Sequence, residues 1–147
     1  MEIRTERRVV VAAGTTDVWA AVIAIDRYPH RWPWLRELEW RGGFVAGAGC
    51  RCRVRAPLGY SVRFGVVLDA VEPGRRVEAT VDGDVAGTAG LTLVPVDGLA
   101  TELRLVTVLR PERRLLRALG RASPALARRG HDRIVESGME RFAADVV

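Results

Sequence analysis

The feature that most constrains the fold is the C-terminal run, residues 124–147. Pro124 suits the first turn of a helix, where its missing N–H is no loss, and Ser123 before it is a natural cap. Ala127, His131, Ile134, Val135, Gly138 and Phe142 recur at spacings of three and four and form one apolar stripe. Arg128, Arg129, Asp132, Arg133, Glu136, Glu140 and Arg141 fall largely on other faces. The pattern predicts a helix of about 22 residues, roughly 33 Å at 1.5 Å per residue, long enough to cross a whole domain. Two residues on its buried side are unusual. His131 is polar, and Gly138 gives up about 1 kcal/mol of helix propensity relative to alanine. A glycine there lets a strand or a ligand come close, so the helix reads as one wall of a pocket.

The rest of the chain supplies what such a helix would cover. Residues 2–12 mix charge with valines and read as a strand. Val18, Trp19, Ala21, Val22 and Ile25 then form a short helix, with Thr15 or Thr16 as its cap. It should end near Tyr28-Pro29, because a residue before proline is pushed out of the helical region. Tyr28, His30, Trp32, Pro33 and Trp34 suggest a compact turn or a one-turn helix. Six strand segments follow, at 38–41, 50–56, 60–71, 77–81, 87–95 and 101–109, separated by Gly, Pro and Asp turns. Alternation is clear in places: Cys50, Cys52 and Val54 oppose Arg51, Arg53 and Arg55, and Tyr60, Val62, Phe64, Val66 and Leu68 oppose Ser61, Arg63, Gly65, Val67 and Asp69. With the first strand this makes an antiparallel sheet of about seven strands. Residues 112–123 read as a short amphipathic helix before the Ser123-Pro124 break. No repeat, low-complexity tract or linker divides residues 1–147, which read as one domain.

The net charge is +5, from 23 basic and 18 acidic residues, and every basic residue is arginine. Lysine, asparagine and glutamine are absent, a bias typical of a GC-rich genome, which lowers the functional weight of the basicity. It still permits anionic partners such as phosphorylated ligands, membrane surfaces or an acidic carrier protein. No apolar run approaches the roughly 20 residues that span a bilayer, and the N-terminus lacks an apolar signal core, so a cytoplasmic protein without a transmembrane segment is expected. Cys50 and Cys52 lie too close along one strand to pair easily and read as buried thiols. With His30 as the second imidazole and no H-x-H pattern, neither a metal nor a cofactor is expected. Nucleophile-elbow, phosphate-loop and dinucleotide fingerprints are missing.

A strand, a short helix pair, six antiparallel strands and one long C-terminal helix is an order that resembles the START-like, or SRPBCC, superfamily. Local sequence carries the same resemblance. DVWAAVIAIDRYPHRWPWL is similar to that superfamily's helix–turn segment, with its aspartate, Tyr-Pro pair and tryptophans. DGDVAGTAGLTL resembles its G-x-G-T-x-x-x-x-L strand, and HDRIVESGMERF resembles the C-terminal helix of polyketide cyclase/dehydrase-like members. The resemblance implies an α+β helix-grip fold: a curved sheet wrapped around the long helix, two short helices after the first strand, and a cavity between. The superfamily includes aromatase/cyclases, lipid and hormone carriers and ubiquinone-binding proteins, so fold leaves chemistry open.

His131 is the best single candidate for chemistry, since imidazole titrates near neutrality and could act as acid or base or bind a ligand oxygen. The alternative is a buried histidine that hydrogen-bonds internally and fixes the helix. Tyr28, His30, Trp32 and Trp34 are expected near the cavity mouth, either stacking on a flat ligand or packing as a lid. Tyr60 shares a face with Phe64, and Thr107 alternates with Leu103, Leu105 and Leu109, which puts a hydroxyl on the inner face of a central strand. A residue that small, where the resemblance implies an aromatic, should enlarge the pocket. Arg63 alternates outward. Together with Ile134, Val135 and Gly138 these residues describe a mostly apolar pocket, and binding of a hydrophobic or aromatic small molecule, lipid or polyketide-like, is the first reading. The second is a cofactor-free polyketide cyclase/dehydratase with His131 as acid/base and Tyr60 polarising a carbonyl. It needs little machinery, because a shaped cavity lowers the barrier largely by orientation. Between residues 110 and 133 lie eight arginines, Arg110 and Arg133 included, and two acids. They form either a solvated face or a dock for an acidic acyl carrier protein. Nucleic acid is disfavoured, because aromatics do not interleave with the basic run. Val106 and Val108, with Val10 on an adjacent strand, hint at an apolar dimer contact, leaving monomer and homodimer open.

Overall fold

The computed structural model describes residues 2–56 and 59–146. Its elements run β1 (Ile3–Val11), α1 (Thr15–Ile23), α2 (Tyr28–Arg31), β2 (Leu35–Arg41), β3 (Gly49–Arg55), β4 (Ser61–Glu72), β5 (Arg76–Gly83), β6 (Val85–Asp97), β7 (Ala100–Pro111), α3 (Arg114–Ala122) and α4 (Pro124–Val146). Seven strands make one antiparallel sheet in the order β1-β7-β6-β5-β4-β3-β2. Hairpins join β2 through β7 in sequence, and β1 closes the far edge beside β7.

Two-residue periodicity decides which face of this sheet is dry. On β5 the buried residues are Val77, Ala79 and Val81, and exposed residues lie between them. Antiparallel register extends that face across the sheet, pairing Val54 with Val62, Val66 with Val81, and Leu91 with Leu105. Register shifts at Leu35/Glu37, Leu68/Ala70 and Pro95/Asp97 interrupt the ladders. Irregularities of this kind bend strands and add twist, which helps curl a sheet around a helix.

The dry face is covered by α4, which is 23 residues long. Ser123 caps it as expected, its Oγ accepting the Leu126 N–H at 3.3 Å. The C-terminal half of α4 closes the core: Met139 and Phe142 pack with Val11, Val18, Val22, Leu93 and Leu103. Burying two such side chains contributes about 1.5–3 kcal/mol each. That end of the helix is an anchor, and the preceding turns are free to roof a space.

Several expectations need correction. The start of α1 is capped by Gly14, not by Thr15 or Thr16, which are helical and make no capping bond. Gly14 is extended, and its carbonyl accepts the Val18 N–H at 3.0 Å. The helix also stops sooner, at Ile23, and a 3-10 turn at Ile25–Arg27 leads into the one-turn α2. Strand β7, which carries Thr107, lies second from the sheet edge rather than centrally. Finally, the outward valines do not merge into one patch. Val10 pairs with Glu102, while Val106 sits beside Glu6 and Val108 beside Arg4. Ion pairs of Arg8 and Arg104 with Glu102 lie between them. Among the described residues, no helix is long and apolar enough to cross a membrane.

At Gly87 the backbone itself demands glycine. Its φ is +152°, and a Cβ there would lie 1.9 Å from the Val108 carbonyl oxygen. Gly90, further along the same strand, meets nothing nearer than 4.0 Å. Gly87→Ala should therefore lower unfolding free energy by at least about 2 kcal/mol. Gly90→Ala should leave it unchanged or raise it by a few tenths, and urea denaturation of the two variants reads the difference directly.

Candidate functional site

Between α4 and the concave sheet lies a cavity of about 430 Å³. Its size has a local cause. Thr107 and Ala89, both in its wall, are cross-strand partners. Small side chains in register leave a hollow where larger ones would reach the helix. Leu105, Val66 and Phe64 rise around it, and Ala127, Ile134 and Val135 of α4 form the roof.

An aromatic wall closes the side nearest β2. Trp32 stacks on Trp34 at 5.2 Å between centroids, and Tyr28 tilts against Trp32 at 4.8 Å. Tyr28 donates its hydroxyl hydrogen to the Val22 carbonyl, and burial pushes its phenol above the ordinary range. Trp32 Nε1–H donates to the Gly138 carbonyl at 3.0 Å. Gly138 thus lets an indole pair come close: a Cβ there would sit 3.3 Å from Trp34 Cζ2. Arg31, which the sequence did not single out, is buried behind this wall. Its guanidinium lies 5.0 Å over the Phe142 ring and 3.6 Å from Asp145.

The opposite end is polar. His131 Nε2 and Thr107 Oγ1 are 3.0 Å apart. Thr5, paired with Thr107 across β1 and β7, donates its hydroxyl hydrogen to Asp132 at 2.9 Å. Asp132 also ion-pairs with Arg7 at 3.5 Å and Arg128 at 3.8 Å. Burial holds the His131 imidazole below its ordinary pKa; Asp132 opposes this, while Arg128 and Arg7 reinforce it. The ring is therefore neutral at pH 7, with one nitrogen a donor and the other an acceptor.

All ten sequence-selected residues, Tyr28, Trp32, Trp34, Tyr60, Phe64, Thr107, His131, Ile134, Val135 and Gly138, line this one cavity. His30 does not; it is exposed on α2, and Arg63 points outward. Sequence reading missed Met139, Ala89 and Arg110, which also line the cavity. Met139 was findable, since it lies four residues after Val135 and three before Phe142. The basic run is partly neutralised. Arg110 and Arg117 bind Glu112, Arg113 binds Asp84, and Arg128 binds Asp132. The Arg110 hydrogen bond holds the Glu112 carboxyl below its ordinary value. Arg114, Arg121, Arg129 and Arg133 are exposed and make no ion pair among the described residues. No cluster of three or more His, Cys, Asp or Glu able to hold a metal forms among the described residues.

No protein-family model matches the sequence, and no curated protein matches it significantly. Solved structures do match. Zhui aromatase/cyclase from Streptomyces sp. R1128 superposes with a TM-score of 0.81 at 16% identity, covering 99% of this chain and 94% of that one. TTHA0849 from Thermus thermophilus gives 0.80 at 18% identity, covering 99% and 97%. A START superfamily protein from Mycobacterium smegmatis gives 0.78 at 14%, covering 97% and 96%. The fold is START-like. At these identities the likeness is one of architecture: the START-like sheet, its long C-terminal helix and the short helices after the first strand.

The neutral His131 has a consequence for stability. Its pKa in the folded START-like domain lies below the unfolded value of 6.5. The unfolded chain therefore binds more protons between those two values, and stability is lost as pH falls through that window. Denaturant midpoints should drop from pH 7.5 towards pH 5, and in His131→Gln that part of the slope should disappear. Parallel slopes in both proteins would show that His131 does not titrate as described.

Proposed function

We propose that the protein binds a hydrophobic or aromatic small molecule, lipid or polyketide-like, in the cavity between the sheet and α4. The composition of the wall carries this reading. Its floor and roof are aliphatic or aromatic, and most polar groups in it already have internal partners. Tyr28 and Trp32 donate to backbone carbonyls, Thr107 and His131 hold one another, and Arg110 is bound to Glu112. A volume of about 430 Å³ lies within the roughly 300–1,000 Å³ of small-molecule pockets. Apolar surface there gains roughly 25 cal/mol per Å² when a ligand displaces water from it. The similar structures from Streptomyces and Mycobacterium, one named an aromatase/cyclase and the other a START superfamily protein, are compatible with such a ligand.

A second reading rests on the His131–Thr107 pair. A neutral imidazole in an apolar wall is poised to move a proton, and Tyr60 could polarise a carbonyl of a poly-keto chain. In that case the exposed Arg114, Arg121, Arg129 and Arg133 would receive an acidic acyl carrier protein that delivers the chain. Such docking would weaken steeply with salt.

Native mass spectrometry of freshly purified protein, followed by solvent extraction, tests the leading reading. We expect a stoichiometric apolar or aromatic adduct, and Ala89→Trp, which puts an indole into the hollow, should reduce its occupancy by at least about tenfold while the fold persists. Persistent occupancy in Ala89→Trp would place the ligand elsewhere. The cyclase reading makes its own demand: His131→Gln should lower turnover of a poly-keto thioester by about 100-fold or more.

A further inference from the structure

The outer side of α3 and of the first turns of α4 combines positive charge with exposed leucines. Between Glu112 and Asp132 lie six arginines and no acidic residue, although the chain holds 18 acids. A compositional bias towards arginine accounts for the first fact but not for the second. Of the six, Arg113, Arg117 and Arg128 are ion-paired. Arg114, Arg121 and Arg129 are exposed and make no ion pair among the described residues, and Arg133, one turn after Arg129, is in the same state.

Helix α3 is apolar over a wider arc than the domain covers. Leu116 and Gly120 are buried and Leu119 is half-buried, which makes them its core face. Leu115, Ala118 and Ala122, at spacings of three and four, form a second strip, and all three are exposed, Leu115 at 51%. Arg114, Arg117 and Arg121, each one residue earlier, form the strip that borders it. On α4, Leu126 is 42% exposed and shares a face with Arg129 and Arg133. Leu116, Leu119, Ala127 and Gly130 of the same two helices line the cavity, so the exposed strips lie on the outside of its wall. A single exposed leucine needs no explanation. Leucines set among arginines without counter-charges, on helices that wall an apolar cavity, are the pattern of a segment lying in the headgroup layer of a membrane.

We infer that the outer side of α3 and the start of α4 is a docking surface for an anionic lipid bilayer, across which the apolar ligand is exchanged. The exchange rests on the binding reading above; the docking stands on the surface alone. Arg114, Arg121, Arg129 and Arg133 meet lipid phosphates, and Leu115 and Leu126 enter the boundary with the acyl chains. Charge by itself would suit an acidic carrier protein equally well. The leucines decide between the two, because a bilayer offers them an apolar layer and a surface of carboxylates does not.

Flotation with vesicles of phosphatidylcholine, with and without phosphatidylglycerol, tests this. The wild-type protein should partition onto vesicles with phosphatidylglycerol at least about tenfold more strongly than onto those without it. Arg121→Ser with Arg129→Ser should lower that partition by at least about tenfold. Leu115→Ser with Leu126→Ser should lower it by at least about fivefold at unchanged charge. Leu99→Ser, at the exposed turn between β6 and β7, should change nothing. All the altered side chains are exposed, and circular dichroism checks that each variant is folded. Equal partition onto both kinds of vesicle would overturn the inference. So would leucine variants that bind as the wild type does, since only a charge attraction open to any acidic protein would then remain. Native mass spectrometry of the same preparations separates docking from ligand binding. An apolar adduct in a protein that does not float would overturn the docking and leave the cavity site standing. A protein that floats but never carries an adduct would support the docking and overturn the binding reading, with the exchange that rests on it.

Discussion

The cavity depends on the contact that α4 makes at Gly138, where it presents no side chain. At Gly138 the helix backbone is open, and two indoles from the segment between α2 and β2 lie against it. Trp32 fastens this contact by donating to the Gly138 carbonyl, a bond between residues 106 positions apart. A Cβ there would lie 3.3 Å from Trp34 Cζ2, so the indole would have to shift by a few tenths of an ångström to admit it. Beyond this point Met139 and Phe142 bind the helix into the core; before it, Ala127, His131 and Ile134 stand over open space. One helix thus serves as anchor and roof, and the change of role falls at the glycine.

The same geometry explains the division of polar groups. The end near β1 and β7 holds a closed network, in which Thr107 meets His131 and Thr5 meets Asp132, while arginines balance the aspartate outside. Its members satisfy one another and stiffen the sheet–helix contact, while burial keeps the imidazole neutral. At the aromatic end Tyr28 and Trp32 donate to backbone carbonyls, and the buried Trp34 Nε1 has no partner among the described residues.

Much of this is legible from residue order. Alternation such as Val77, Ala79 and Val81 specifies strands whatever their neighbours, and the three- and four-residue spacing of the α4 stripe specifies a buried helix face. That periodicity, with the fold the resemblance implies, is why the residues selected from the sequence fall around one cavity. What pattern misses depends on partners distant in sequence. It groups Val10 with Val106 and Val108, but antiparallel register sets Val10 against Glu102. It reads Gly138 as making room for a close approach, but not that tryptophans, which only the tertiary fold delivers, lie against it. The burial of Arg31 is not written in four residues of helix, because Phe142 and Asp145 create it from the far end of the chain. His30 fails for the opposite reason: its position in an aromatic run says nothing about which side of one helical turn it occupies.

The central claim is that the space under α4 is an apolar ligand site rather than a packing gap. Methyl-detected NMR during titration with fluorene tests this at the residues concerned. The account predicts intermolecular contacts to methyls of Val62, Val81, Leu105 and Ile134, with none to the exposed Val10, Val45 and Leu99. Contacts confined to those exposed residues, with the interior methyls unmoved, would contradict it.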